Sequence, residues 1–416
     1  MTAKEFLVSI GQSPENIATK DALSRFQAEM EAGLAGKGSL AMIPTYLYEP
    51  DRSAAYSSDK RIVIDAGGTN FRSAIGWFEG GKPVFEDIVR TKMPASDREL
   101  SAEEFYGAIA RNIARLAEEG GDVGFCFSYP VEIDADRDGR AGVFTKEIKA
   151  PEVVGTRVGE CTLQALKAYS EKERNIVILN DTVATLLGGM AGRSKKYSGY
   201  IGYIYGTGTN LCYLEETENI RKLPELSASR RMIVNTECGN FDGFDLGVAD
   251  RAVLASSNDP IRYRFEKMTS GKYLSSIMEL CLREGEKTGM YEAETRISPF
   301  DLAEVSDFLC SDGGTLAKMF ACDEDRAFAR ECCRLLIDRA AKMGAIANAA
   351  AALRCGKAEG LPVAIVAEGT TFNKLPDYKA KFVGYLEEIL SPLHISFEIV
   401  QGEDVNLVGT LLATLA

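Results

Sequence analysis

Apolar and polar positions along this chain recur with two periods, about 3.6 residues in some stretches and about 2 in others, and their order predicts an α/β protein. From 15 to 36, Leu23, Phe26, Met30 and Leu34 recur at helical spacing, and Gly36 to Gly38 closes the run, which predicts an N-terminal helix. The segment Ser39 to Pro50, with Met42, Ile43 and Tyr46, leads into the sheet. Strands are predicted at 61–66, 71–78 and about 83–91, then a helix at about 101–119, a strand at 122–128, a helix at about 159–171 and a strand at 175–179. A second set opens with a strand at 199–205, its hairpin partner at 210–215 and a strand at 231–236. After a helical stretch it ends with strands at 362–367 and 395–400. Met343 to Leu353 is short, Ala-rich and flanked by Lys342 and Arg354, so it reads as a packed helix rather than a membrane span. Three consecutive strands before helix and strand alternate is not the dinucleotide-binding order. Each half begins with a glycine turn between two strands.

The first turn, Asp65-Ala66-Gly67-Gly68-Thr69-Asn70, is built to hold phosphate. Gly67 and Gly68 admit backbone angles closed to other residues. Turn N–H groups, the Thr69 hydroxyl and the Asn70 amide can donate to phosphate oxygens, Arg72 adds a fixed cation, and Asp65 is placed to hold a hydrated Mg²⁺. Because strand leads to strand, the turn is neither a Walker loop, whose Gly-Lys-Ser/Thr is absent, nor the dinucleotide fingerprint, which opens a helix. An ordinary Gly-Gly hairpin is the alternative. The second turn, Tyr205-Gly206-Thr207-Gly208-Thr209-Asn210, makes a pair, and two such hairpins can close on one polyphosphate from opposite sides. Asn180 and Asp181 follow an apolar strand, where open α/β sheets bind ligands, so Asp181 can accept a proton from a substrate hydroxyl. Read alone, Asp181 is better explained as the cap of a helix beginning at Thr182. Likewise Ser128, Thr145 and Asn210 alone would be strand-end polar residues, and Glu237 and Glu266 surface charges.

Composition narrows the function classes. With 416 residues, 45% hydrophobic and 26% charged, the chain has material for two domains. A net charge of −13 argues against nucleic acid or an anionic membrane as partner, so an anionic substrate needs local cations. The start Met1-Thr2-Ala3-Lys4-Glu5 lacks the apolar stretch of a signal peptide, and a cytoplasmic protein is expected. Ten scattered cysteines make neither a disulfide framework nor a zinc site. The single histidine, His394, has no triad neighbours, which leaves proton transfer to a carboxylate or lysine. Asp134, Asp136 and Asp138 lie in a polar stretch to Arg140 that reads as a solvated turn; a calcium loop would need Glu where Thr145 stands, one residue before Lys146. Cys238 beside Glu237, and Cys212 near Asn210, offer a site of sensitivity to thiol reagents with sugar protecting, but inert buried cysteines are the better-supported alternative, since free Cys is among the most buried residue types.

Taken in order, the motifs resemble the hexokinase family, glucokinases included, over nearly the whole chain. The resemblance runs through Arg25-Phe26-Gln27-Ala28-Glu29-Met30-Glu31 with Gly33-Leu34, Met42-Ile43-Pro44-Thr45-Tyr46, and Asp65 to Arg72. It continues through Gly124 to Pro130, Thr145-Lys146, Asn180-Asp181-Thr182-Val183, Gly206 to Asn210, Asn235-Thr236-Glu237 and Phe265-Glu266-Lys267-Met268.

The resemblance implies an actin-like (ribonuclease H-like) α/β fold, two domains hinged about a cleft. The small domain would span 61–180 and the large domain 181–416, with 1–60 packing on the large one and a last helix, about 405–416, returning to the small one. It implies transfer of the ATP γ-phosphate to the 6-hydroxyl of a hexose, the first step of glycolysis, with glucose ahead of mannose or fructose. Asp181 would be the general base, with Lys146 holding positive charge near the transferring oxygen. Ser128, Thr145, Lys146, Asn180, Asp181, Asn210, Glu237 and Glu266 would contact the sugar. Asp65, Gly67, Gly68, Thr69, Asn70, Arg72, Thr207, Lys272, Gly369 and Thr370 would hold ATP, with Asp65 on Mg²⁺ through water. Such an enzyme would act as a monomer or homodimer, with neither nucleic acid nor membrane as partner. Its alternatives are a kinase for an N-acetylated or amino hexose and a catalytically silent sugar sensor on the same fold. The chain departs from the family at Ala367-Glu368-Gly369-Thr370 and Asp404 to Gly409, near the adenine end, and at Cys238 to Asp242 and Tyr263, near the sugar.

Overall fold

A computed structural model describes residues 1–50, 57–68, 70–144, 148–191, 196–226, 230–311, 313–356, 358 and 360–415. The chain starts with helices α1 (Ala3–Ser9) and α2 (Thr19–Leu34) and strand β1 (Ile43–Tyr48). Strands β2 (Arg61–Ala66), β3 (Asn70–Glu79) and β4 (Lys82–Lys92) follow, then α3 (Ala102–Ile113) and β5 (Val123–Phe127). A small hairpin, β6 (Val131–Ile133) and β7 (Gly139–Ala141), precedes α4 (Val158–Leu166), β8 (Ile176–Leu179) and α5 (Asp181–Met190). The second half holds β9 (Gly199–Tyr205), β10 (Thr209–Glu216), β11 (Arg231–Asn235), α6 (Val248–Ser256), α7 (Arg264–Thr269), α8 (Gly271–Lys287), α9 (Leu302–Cys310) and α10 (Asp323–Cys355). It ends with β12 (Val363–Glu368), α11 (Thr370–Lys374), α12 (Tyr378–Leu390), β13 (Phe397–Val400) and α13 (Val405–Ala413).

The strands form two sheets of one design. In the order β4-β3-β2-β5-β8, an antiparallel meander is extended by two parallel strands. The second sheet, β1-β11-β10-β9-β12-β13, repeats that order from β11 onward and adds β1 at its edge. The segment after Ser39, expected only to lead into the sheet, is therefore an edge strand, antiparallel to β11. Parallel strands β2, β5, β8, β9 and β12 are buried along nearly their whole length, as strands covered on both faces must be.

Helices α5 and α13 lie between the two sheets and set their separation. Glycine marks every close approach in this stack. A Cβ at Gly124 of β5 would strike the Thr410 carbonyl of α13, and one at Gly409 the Ala184 carbonyl of α5. At Gly188 it would strike the Val405 carbonyl, and at Gly202 of β9 the Thr182 carbonyl. Sheet, helix, helix and sheet thus meet backbone to backbone, and Thr185 Oγ1 donates to Asn406 Oδ1 across the helix pair at 2.8 Å.

Two expectations need correction. The packed helix expected over 343–353 is the C-terminal third of α10, which runs for 33 residues and carries Asp323, Glu324 and Asp325 in its first turn. Its Ala-rich half is buried all round, so it shows no one-sided apolar stripe. The stretch from Asp134 to Arg140 is not a merely solvated turn. Arg157 pairs with Asp134 at 2.9 Å and Asp136 at 2.5 Å, while buried Asp138 accepts from the Gly159 and Glu160 amides at the start of α4. Among the described residues no helix is long and apolar enough to cross a membrane.

The stack yields a paired prediction. Gly409→Ala should lower stability by about 3 kcal/mol, because the neighbour it meets is backbone and cannot turn aside. Gly384→Ala on the exposed side of α12, where an added Cβ meets nothing, should raise it by about 0.5–1 kcal/mol. Thermal unfolding of both variants checks the pair; equal shifts would remove the special status of the α5 and α13 crossing.

Candidate active site

Three parallel strands end side by side and deliver the first group of residues. Asp65 of β2 stands beside Cys126 of β5, and Cys126 beside Leu179 of β8. The chain then continues into Gly67 and Gly68, into Ser128 and Tyr129, and into Asn180 and Asp181. Cys126 is fully buried between the carboxylates of Asp65 and Asp181, and burial together with both negative fields pushes its thiol well above the ordinary range. Asp65 and Asp181 thus both act on the strand that lies between theirs.

In the first hairpin Asp65 and Arg72 lie directly opposite, so their side chains share a face. Arg72 Nε and Nη2 both donate to Asp65 Oδ2, at 2.9 and 2.5 Å, and Nη1 donates to Asp404 Oδ1 at 2.8 Å. The turn closes through the Gly67 amide on the Asn70 carbonyl at 2.9 Å. Tyr129, which sequence reasoning left out of the site, holds this turn: its buried phenol donates to the Gly67 carbonyl at 2.7 Å. Burial pushes the phenol's pKa up, so it stays a donor. The neighbouring Ser128 amide bonds the Ala66 carbonyl at 3.1 Å, and Asn70 lies exposed at the turn's end. Thr69 lies outside the described residues, as do Thr145 and Lys146. Phe144, just before that pair, packs edge-on against Tyr129 at 5.2 Å.

Asn180 and Asp181 divide the work at the start of α5. Asn180 is the cap, accepting from the Thr182 amide at 2.9 Å. The capping role open to Asp181 is therefore filled by its neighbour. Asp181 occupies the first helical position; its Oδ1 accepts from the same amide at 2.8 Å, and Oδ2 takes no part in that bond. The helix N-terminus favours a carboxylate there.

Facing this group, the second sheet builds an amide and carboxylate cluster. Asn210 Nδ2 reaches Asn180 Oδ1 at 3.5 Å, Asn235 Oδ1 at 2.9 Å and Glu237 Oε1 at 3.3 Å; Asn235 Nδ2 donates to Glu237 Oε1 at 2.8 Å. Asn235 is a further residue that sequence reasoning did not assign, though its motif was seen. Glu237 adopts a left-handed backbone, φ 53°, an unusual conformation for a non-glycine residue and one that gathers at functional sites. Glu266 reaches over from α7 and accepts from the Thr209 amide at 3.1 Å, into space that Gly208 leaves open. Tyr263, also left-handed at φ 59°, lies near enough to Glu237 and Glu266 that their fields help burial push its phenol up.

The residues assigned to the nucleotide also converge. The Gly271 amide at the start of α8 bonds the Gly206 carbonyl at 2.8 Å, and the Lys272 amide bonds the Thr207 carbonyl at 3.2 Å. Gly369, φ 126°, runs so close to Tyr205 that a Cβ would strike its carbonyl, which only glycine permits. Thr207, Lys272 and Thr370 present exposed side chains around this junction. Burial raises the pKa of Glu368 while the Arg72 cation lowers it, which places the end of β12 within reach of the first hairpin. Cys212 and Cys238 are completely buried, as the inert alternative has them, Cys212 donating to the Thr182 carbonyl. Burial pushes both thiols far up and suppresses the thiolate that a reagent would attack.

Comparison with known proteins agrees with this geometry. Residues 200–416 match one family model described as hexokinase, and residues 4–191 match a second of that description. Hexokinase-3 of Homo sapiens is 28% identical over 95% of this chain and 45% of its own length. Hexokinase-1 of Saccharomyces cerevisiae is 27% identical, covering 88% of this chain and 81% of its own, and the Hexokinase-like 1 protein of Arabidopsis thaliana 28%, covering 92% and 85%. The chain thus spans about half the human relative and most of the yeast and plant ones. A solved hexokinase from Schistosoma mansoni complexed with glucose has a TM-score of 0.82 at 21% identity, covering 100% of both chains. Another hexokinase structure gives 0.80 at 21%, over 100% of this chain and 98% of its own. At these identities the structural likeness establishes the fold.

Tyr129→Phe should leave the Gly67 carbonyl without its donor. A stability loss of about 1 kcal/mol is expected, with faster amide hydrogen exchange confined to the segment around Gly67 and Asn70. Unchanged exchange there would exclude Tyr129 as the clamp of this turn.

Proposed function

The chain belongs to the hexokinase family, and from that membership we propose that it transfers the γ-phosphoryl group of Mg-ATP to the 6-hydroxyl of a hexose, glucose before mannose or fructose. One observation carries the reading: Asp65 at the end of β2 and Asp181 just after β8 flank Cys126 of β5, the strand between them, with the Asn210, Asn235 and Glu237 cluster bonded to Asn180 beside Asp181. The actin-like fold supports a small domain at 61–180, a large domain at 181–416 with 1–60 against it, and a cleft between them. A cytoplasmic monomer or homodimer fits this reading.

Amides and carboxylates suit a ring of hydroxyls that both donate and accept. Asn180, Asn210, Glu237 and Glu266 are therefore assigned to the sugar, joined by Ser128 and, through the family resemblance, Thr145 and Lys146. Asn235 sets the orientation of Asn210 and Glu237. Asp181 Oδ2 takes the hydroxyl proton as the sugar oxygen bonds to phosphorus, and the start of α5 stabilises the carboxylate until then. The first turn, Arg72, Thr207, Lys272, Gly369 and Thr370 hold the donor, since phosphoryl transfer depends mainly on position and charge. Mg²⁺ bound with the donor would neutralise phosphate charge. Asp65 fits it: a hard cation selects carboxylate oxygen, and Asp65 Oδ1 lies outside the Arg72 pair. Closure of the cleft on the sugar excludes water as a competing acceptor.

Asp181→Asn should lower turnover at least about 10²-fold, the lower end for a general base. Coupled ADP release over glucose, mannose, fructose, glucosamine and N-acetylated sugars, with ATP and other donors, tests the acceptor. Retained turnover in the variant would remove Asp181 as base. Absence of turnover on every sugar would leave a sugar sensor.

A further inference from the structure

The charge around Arg72 is unexpected for a phosphate cradle. Its guanidinium lies between two carboxylates, Asp65 at 2.5 Å and Asp404 at 2.8 Å, so the three groups together carry one net negative charge. Glu368, within the electrostatic reach of Arg72, adds no positive charge to offset it. The two carboxylates are placed differently. The Asp65 side chain is 9% exposed and fixed at the end of β2, whereas that of Asp404 is 41% exposed and covers the outer edge of the guanidinium.

Asp404 also departs from what its position would dictate. It is the residue before α13, where Asp ordinarily turns its carboxylate onto the helix amides. Here its side chain makes no capping bond, its backbone is left-handed at φ 46°, and its carboxylate reaches the first hairpin instead. With the cap unused, the carboxylate is committed to Arg72.

We infer that Asp404 is a positioning residue that occupies the outer edge of Arg72 against a bare polyphosphate, so that the cradle accepts donor phosphates only as their magnesium complex. The inference rests on the first hairpin being the donor-phosphate cradle. A metal-free polyanion meets net negative charge and must displace Asp404 before it can bond Arg72. The magnesium complex carries less negative charge, and its cation is attracted to the same carboxylates. Asp404 thereby sets which ionic form of the donor binds, without contacting the reacting atoms.

The test measures binding by calorimetry, with Mg-ATP and with tripolyphosphate in excess chelator as probes. Wild-type protein should bind Mg-ATP and bind metal-free tripolyphosphate far more weakly. Asp404→Asn, which keeps the shape and tolerates the left-handed backbone, should tighten tripolyphosphate about tenfold and change Mg-ATP affinity much less. Asp404→Gly, which relieves that backbone, should shift in the same direction. Tripolyphosphate affinity unchanged in both variants, with Mg-ATP binding intact, would overturn the inference alone. A wild-type protein that binds no Mg-ATP would overturn the cradle reading and the inference with it.

Discussion

The crossing of α5 and α13, backbone against backbone, is the contact on which the rest of the structure depends. Each sheet has an inner face that must be covered, and a single pair of helices lies between them. At Gly124, Gly409, Gly188 and Gly202 there is no room for a side chain, so sheet, helix, helix and sheet are held at the smallest separation the backbone allows. Interiors packed to this density do not deform gradually, which makes the stack a defined joint rather than a compliant one. The bond from Thr185 to Asn406 fixes how the two helices are turned relative to each other.

That joint positions the chemistry. Helix α5 begins where β8 ends and α13 follows β13, so the start of each helix is set by a parallel strand. Asp181 and Asp404 stand at those starts, one near Asp65 across Cys126 and the other on Arg72. The repeated strand order provides the rest: the hairpin of β2 and β3 has a counterpart in β9 and β10, and Gly67 and Gly206 occupy equivalent turns. A single topological rule applied twice places a glycine turn between two antiparallel strands in each sheet.

Much of this was readable from residue order. The strands of both halves, the glycine turns and Asp181 at a strand's end follow from alternation and turn chemistry, which act over a few residues. What escaped acts over long distances. Tyr129 reads as one more core aromatic beside Phe127, because its bond to Gly67 joins residues 62 apart in sequence. Arg157 ordering the acidic turn at Asp134 is the same kind of event, and no local pattern announces it. The N-terminal two-thirds of α10 was read only as part of a general helical stretch, although Asp325, Ala329, Cys332, Cys333 and Leu336 recur on its buried side. The left-handed backbones of Glu237 and Tyr263, at residue types that rarely adopt them, go with long-range contacts such as Asn210 on Glu237.

Capping and chemistry compete for the same kind of side chain, and the two helix starts settle that competition in different ways. At α5 the contest between cap and base is resolved by adjacency: Asn180 caps, and Asp181, one residue later, keeps an oxygen outside the capping bond. At α13 no side chain caps at all, and the carboxylate that could do so is turned onto Arg72. An unfilled cap costs about 1 kcal/mol, and a left-handed Asp adds strain. Such losses persist where surrounding contacts hold the residue in place, here the close approach of Gly188 to Val405 immediately after Asp404. The same tight joint that fixes Asp181 therefore also supplies the rigidity that lets Asp404 face Arg72 instead of closing its own helix.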